Sequence, residues 1–210
     1  MIYCYTGVPG SGKTLHAASD IRRALAAGRP VIANFDINQD KVKNPHLFVR
    51  VKNSPDEPGN YPVVNADWLI DWARGYFAAF PEHRKEGWLL CVFDECQLLW
   101  NARRWSDKHR MRWVAFFSQH RKYLMNVILC AQGDKMIDNQ FRTNVEMMVV
   151  HRNLKHYGTF MGIVSFFFRD RLFSRHTVYY PTHEVISTEF YIARKKDMDV
   201  YDTFSTFVEV

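Results

Sequence analysis

Eight consecutive residues, Gly7-Val8-Pro9-Gly10-Ser11-Gly12-Lys13-Thr14, carry the densest chemistry in this sequence. They match the pattern G-x-x-x-x-G-K-[ST] in full. Glycines let the backbone curl until several N–H groups point inward at one anion. A helix beginning beside the lysine presents its positive N-terminal end to the same charge. Lys13 is spaced to reach β- and γ-phosphate oxygens, and the Thr14 hydroxyl to ligate Mg²⁺. The alternative is a glycine-rich turn that merely caps a helix, and the strand-then-helix setting of the loop argues against it.

Such a loop needs an acidic partner for its metal. Leu89-Leu90-Cys91-Val92-Phe93-Asp94-Glu95 is an apolar run closing on two carboxylates, at the strand edge where open α/β sheets bind ligands. Asp94 is expected to hold Mg²⁺ through water and Glu95 to polarise the attacking water as general base. Adjacent acids on an extended strand point in opposite directions, so one serves the metal and the other the water. Gln132 closes a third apolar run, Asn126 to Ala131, and is expected near the γ-phosphate, sensing the nucleotide or orienting water. An arginine finger has three candidates, Arg121 and Arg142 with Arg104 behind them. The acids lack the Asp-x-x-Gly context of a GTPase, and no Asn-Lys-x-Asp occurs. A small-molecule kinase usually lacks the adjacent Glu. ATP hydrolysis coupled to mechanical work is the class these residues favour.

The elements that must position these groups alternate. Ile2–Thr6 reads as a strand, Thr14–Ala27 as a helix with apolar residues three and four apart, and Val31–Phe35 as a second strand. Residues 36–62 hold four of the eight prolines and read as irregular, apart from a short strand at Leu47–Val51. Asn65 caps a helix running to about Phe80, with Pro81 beyond it. Trp88–Phe93, Asn126–Ala131 and Val145–His151 read as strands, Asp107–Tyr123 and Ile137–Arg142 as helices. Thr159–Phe168 and His176–Tyr180 look like a hairpin on the sheet edge, and the last 20 residues like a loose tail. Strands separated by helices imply a mostly parallel, doubly wound P-loop sheet with helices on both faces and a C-terminal antiparallel hairpin. Residues 1–152 would form its core and residues 153–210 the hairpin and tail of the same domain. A strand, most simply the one ending at Gln132, is expected between the phosphate-loop strand and the Asp94 strand.

Composition sets the bounds. The chain has 210 residues, 47% hydrophobic and 24% charged, enough to bury a core and unlike a disordered sequence. Cys4, Cys91, Cys96 and Cys130 form no C-x-x-C pair and suit buried thiols in a reducing compartment. The longest apolar run, Met161 to Phe168, has eight residues, short of the ~18 a membrane span needs. With no signal peptide at the N-terminus, this argues against secretion and a span for the chain as it stands, though not for a longer parent. Net charge is 28 − 22 = +6. Much of the surplus lies between Asn101 and Lys122, where seven Lys/Arg face Asp107 alone. That stripe is either a solvated helix face or a surface for nucleic acid or an acidic partner.

The segments GVPGSGKT (7–14), VFDECQLLWNARR (92–104), SQHRKYLMNVILCAQ (118–132) and KMIDNQFRT (135–143) together resemble the zonula occludens toxin family. That family is equivalent to the N-terminal domain of the filamentous-phage gene I assembly protein. The matched features are Asp94-Glu95-Cys96-Gln97, Trp100-Asn101-Ala102-Arg103, His120-Arg121, Gln132 and Arg142. Lys122 stands where a second His is usual, and Asn101 where Pro is common. The resemblance implies an ATP- and Mg²⁺-dependent motor domain at the cytoplasmic face of the bacterial inner membrane, anchored by a segment this chain lacks. It implies phage extrusion as the work, self-association so that an arginine completes a neighbour's site, and coat protein with single-stranded DNA or its binding protein as partners. A DNA-packaging or DNA-transfer translocase is the alternative. A secreted toxin fits the residues poorly.

Overall fold

The computed structural model describes residues 1–100, 110–156, 158–168 and 171–201. Six parallel strands and one antiparallel pair make an eight-stranded sheet among them. In chain order these are β1 (Ile2–Thr6), β2 (Val31–Ala33), β3 (Phe48–Arg50), β4 (Leu89–Phe93), β5 (Met125–Ala131), β6 (Met147–Asn153), β7 (Leu172–Tyr179) and β8 (Glu184–Ile192). Across the sheet the order is β3-β2-β4-β5-β1-β6-β7-β8. Strands β3 through β6 run parallel, and β7 and β8 are antiparallel additions. β5 does separate the phosphate-loop strand from the Asp94 strand, its Ala131 pairing with Thr6 and its Leu129 with Phe93.

Side chains alternate along each strand, and the alternation divides the core in two. Ile2, Cys4, Leu89, Cys91, Phe93, Val127 and Leu129 face one layer. There they meet helix α2 (Ala66–Ala79) and helix α3 (Arg110–Gln119), with Leu69, Phe116 and Phe117 buried. Tyr5, Leu90, Val92, Ile128 and Cys130 face the other layer and meet Ile21 and Leu25 of helix α1 (Lys13–Ala26). Strands buried on both faces read as unbroken apolar runs, which is why β4 and β5 show no polar alternation. α2 begins where Asn65 Oδ1 accepts from Trp68 N at 2.8 Å, an N-cap for an otherwise orphaned donor. All four cysteines are buried free thiols.

Three expectations are corrected. The apolar stretch 159–168 is a helix, α5 (Gly158–Phe167), because both edges of β7 are already taken, by β6 and by β8. The hairpin is instead Leu172–Tyr179 with Glu184–Ile192, turning at His183 with φ 58°. The chain past Ile192 is not loose as far as residue 201. Helix α6 (Lys195–Met198) docks on α1 through Arg22 Nε to Asp197 Oδ1 at 2.7 Å, and Val200 is buried. Between β5 and β6 lies the short helix α4 (Asn139–Arg142). The basic helix is seen from Arg110 onward and tightens to a 3₁₀ turn at His120–Tyr123; its expected start lies outside the described residues.

A buried polar chain ties the hairpin to the layer under the phosphate loop. His151 Nδ1 faces the carbonyls of Val149 at 3.0 Å and Thr6 at 3.3 Å, so that nitrogen carries a proton. Its Nε2 then accepts from His16 Nδ1 at 2.9 Å, leaving His16 Nε2 to accept from Arg175 of β7. Tyr5 stacks on His16 with ring centroids 4.5 Å apart. Burial, and secondarily the Arg175 charge, pushes His16 down to about 3; burial, and secondarily His16, does the same to His151. Both rings therefore stay neutral in the fold, whereas in the unfolded chain they take up protons below about pH 6.5. Stability is expected to fall as pH drops from about 6.5 toward 3, by up to roughly 1.4 kcal/mol per pH unit for each ring. Urea midpoints at pH 7 and pH 5 measure it. His151→Gln should flatten the pH dependence, and an unchanged slope would exclude this origin.

Candidate nucleotide site

The phosphate loop leaves β1 and enters α1 in a geometry that only glycine tolerates at its ends. Gly7 has φ 146°, and a Cβ there would stand 2.5 Å from both the His151 carbonyl oxygen and Ser11 Oγ. Gly12 has φ 94°, and its Cβ would stand 2.9 Å from the Phe173 ring of β7. The loop is thus pressed against β6 and the hairpin. Ser11 N closes a turn on Val8 O at 3.1 Å, and Asn153 Nδ2 reaches Gly10 O at 3.4 Å. Lys13 Nζ donates to Gly7 O at 2.8 Å and Val8 O at 3.3 Å, so its ammonium lies inside the loop. Ser11 Oγ, close against Gly7, is buried with no hydrogen-bond partner, a polar atom that a bound anion would satisfy.

Across β5, Asp94 meets the loop. Thr14 Oγ1 donates to Asp94 Oδ2 at 2.8 Å, and Glu95 N donates to Oδ1 at 2.9 Å. Asp94 is 3% exposed. Burial raises its pKa, against the opposing hydrogen bonds from Thr14 and the Glu95 amide. With its proton committed to Asp94, the Thr14 hydroxyl keeps its lone pairs free for a cation. This pairing of hydroxyl and carboxylate suits a hard divalent ion that takes its remaining ligands from phosphate and water.

Glu95 departs from the expected geometry. The strand ends at Phe93, and Glu95 has φ 46° and ψ 42°, so the two acids do not alternate along an extended chain. A left-handed glutamate costs on the order of 1 kcal/mol, and such strain persists where neighbours over-determine it. Here the neighbour is Gln97, whose Nε2 donates to Glu95 Oε2, and whose Oε1 is buried without a partner.

Sequence reasoning missed Asn34, the residue after β2. It is fully buried, and its side chain bridges the Asp94 peptide: Asp94 N donates to Asn34 Oδ1 at 2.7 Å, and Asn34 Nδ2 donates to Asp94 O at 2.9 Å. The same Nδ2 reaches Asn53 Oδ1 at 2.8 Å. One amide thus continues the sheet for one rung past the end of β2 and fixes the peptide that carries the Asp94 carboxylate. The available signal was a polar residue closing Val31-Ile32-Ala33 on a strand adjacent to β4.

The other candidates are placed as follows. Gln132 follows Ala131, which pairs with Thr6, so it stands at the loop's edge of the sheet, exposed. Arg121 stands before β5, bound to Glu146 at 2.5 Å and Glu86 at 3.6 Å. That is the opposite end of the seven-residue β5, on the order of 20 Å from the loop edge. Arg142 ends α4 and donates to Asn139 Oδ1 at 2.9 Å. Arg104 lies outside the described residues. Neither Arg121 nor Arg142 joins Lys13, Thr14 and Asp94 within this chain. A cavity of about 480 Å³ lies on the α1 face, lined by Tyr3, Tyr5, Asp20, Arg23 and Arg29 among others; neither the loop nor Asp94 and Glu95 line it.

Replacing Asn34 by Leu keeps the volume and strips both partners from the Asp94 peptide. With two buried groups left unpaired, stability is expected to drop by about 2–4 kcal/mol. Urea unfolding measures it, and a loss below about 0.5 kcal/mol would refute the bridging role.

Known proteins resemble this chain in sequence and in fold. The family model described as Zonular occludens toxin (Zot) matches residues 1–179. The Gene 1 protein of Escherichia phage If1 is 31% identical over 153 residues, covering 71% of this chain and 40% of that protein. The Gene 1 protein of Enterobacteria phage M13 is 30% identical over 153 residues, with 71% and 41% covered. The chain therefore spans about two-fifths of the length of these relatives. Among solved structures, the N-terminal domain of zonular occludens toxin from Neisseria meningitidis superposes with a TM-score of 0.62 at 19% identity, covering 96% of this chain and 98% of that one. The DNA-packaging ATPase from Sulfolobus turreted icosahedral virus reaches 0.51 at 13% identity, covering 92% and 97%. These two share the P-loop NTPase fold seen here. On the match across residues 1–179, this chain belongs to the zonular occludens toxin family.

Proposed function

We propose that this chain is a Mg²⁺-dependent ATP hydrolase, the motor domain that drives filamentous-phage assembly and extrusion at the bacterial inner membrane. The observation that carries the chemical part is the Thr14–Asp94 hydrogen bond at 2.8 Å, which joins the phosphate loop to the acidic strand end. The gene 1 relatives support the phage part.

In this reading residues 7–14 wrap the β- and γ-phosphates with backbone N–H groups and the α1 N-terminus. Lys13 Nζ exchanges the Gly7 and Val8 carbonyls for phosphate oxygens. Thr14 and Asp94 would hold Mg²⁺, which would neutralise charge developing on the transferred phosphoryl group. Glu95 takes a proton from the attacking water, and Gln132 orients that water or senses the γ-phosphate. Arg121, at the end of β5 opposite this chain's own loop, and Arg142 are candidates to act on the site of a neighbouring copy. Coat protein and single-stranded DNA or its binding protein are the partners of the work.

The translocase alternative rests on the basic stripe. Arg110 is held by Asp138 at 2.9 and 3.0 Å, Arg112 lies 3.8 Å from Asp67, and Arg121 binds Glu86 and Glu146. Those three charges are matched by acids of the same chain, which favours the assembly reading.

ATP turnover by two variants tests the proposal. Lys13→Ala is expected to lose both nucleotide binding and turnover. Glu95→Gln should bind nucleotide as the parent does while turnover falls about 10²–10⁴-fold, the usual contribution of a general base. Parent-like turnover in both variants would overturn the assignment.

A further inference from the structure

We propose that helix α5 seats this chain on an anionic lipid surface, with the phosphate-loop edge of the sheet toward the lipid. α5 has ten residues, none of them charged, and with Phe168 it ends in three consecutive phenylalanines. Phe166, Phe167 and Phe168 are 75%, 78% and 44% exposed. Leaving three large apolar side chains together in water is unusual for a soluble surface and marks a contact site.

The arrangement points to lipid over protein. Phe166 and Phe167 lie about 100° apart on the helix, and Phe168 follows just past its end, so the three rings do not share one face. A protein groove reads anchors three, four and seven residues apart along one face. A fan of rings suits a fluid, non-directional medium. At about 15 Å, α5 is too short to span a bilayer, and no described helix is long and apolar enough to do so. An apolar segment of this length at a surface suits the interfacial layer.

Charge supplies the second signal. From the start of β6 to Arg171 the sequence holds Arg152, Lys155, Arg169 and Arg171 against Asp170, 4 − 1 = +3 of the chain's +6. Arg152, Lys155 and His156 are exposed just before α5, and Arg171 N bonds to Phe168 O at 3.2 Å just after it. Apolar insertion is marginal alone and becomes firm when joined to a basic patch. Asn153 Nδ2 reaches Gly10 O of the phosphate loop at 3.4 Å. This places the segment leading into α5 at the nucleotide edge, so lipid docking sets the orientation of that edge. The inference does not depend on ATP hydrolysis.

Flotation of the full chain with vesicles of pure phosphatidylcholine, and with about 30 mol% phosphatidylglycerol added, tests it. The parent chain should float with the anionic vesicles only. The triple variant Phe166→Ser, Phe167→Ser, Phe168→Ser should lose at least about tenfold in partition, and Arg171→Gln roughly fivefold. Circular dichroism checks that the triple variant folds. If it does not, Phe167→Trp serves instead: a blue-shifted emission on adding anionic vesicles supports the proposal, and unchanged emission overturns it. Parent-like flotation of the folded triple variant, or no flotation of the parent, overturns it. So does a parent oligomer that the triple variant dissolves without any lipid partition, because the rings would then be a protein contact.

Discussion

The hydrogen bond from Thr14 Oγ1 to Asp94 Oδ2 joins residues 80 positions apart, and the fold is arranged around making it. The two residues belong to strands that are not neighbours, because β5 lies between β1 and β4. The bond therefore depends on three strands ending at one level. Register provides this: Thr6 pairs with Ala131, and Leu129 with Phe93. Asn34 finishes the alignment from the far side by clasping the Asp94 peptide through both its N–H and its C=O. A residue with no chemistry of its own thus fixes where the Asp94 carboxylate sits.

The other flank of the loop is held by different means. β6 supplies the His151 carbonyl against Gly7, and β7 supplies the Phe173 ring against Gly12. The Arg175–His16–His151 chain ties the hairpin, α1 and β6 together through neutral, directional hydrogen bonds. Such a network is costly to leave half-satisfied, so it specifies one arrangement of these elements. The antiparallel hairpin consequently belongs to the architecture of the nucleotide site, although none of its residues carries a phosphate-binding motif. α6 extends the same support, with Asp197 on Arg22 of α1.

The legible parts were those in which residue type and spacing are dictated by chemistry. Gly7 through Thr14, and an apolar strand closing on Asp94-Glu95, can be read because few other roles demand those residues in that order. The position of β5 followed from the same logic. Asn34 was not legible, since one Asn after a three-residue strand resembles an ordinary turn residue until the strand beside it is known. The left-handed turn at Glu95 was hidden for a related reason: glutamate carries no signal for positive φ, and the conformation comes from its neighbours. The stretch at 159–168 was misread because an uncharged apolar run has no period to separate helix from strand. Only the occupancy of both β7 edges decides it. The placement of Arg121 at the far end of β5 from the loop follows from strand register, which an arginine's position in the sequence does not reveal.

The account's central claim is that Thr14 and Asp94 form a metal site completed by a nucleotide. Calorimetric titration of a non-hydrolysable ATP analogue, once with Mg²⁺ and once with a chelator, tests it most directly. Binding at least about tenfold tighter with Mg²⁺ is expected, equivalent to about 1.4 kcal/mol, and Asp94→Asn should erase most of that difference. Equal affinity with and without the metal, or no binding in either condition, would contradict it.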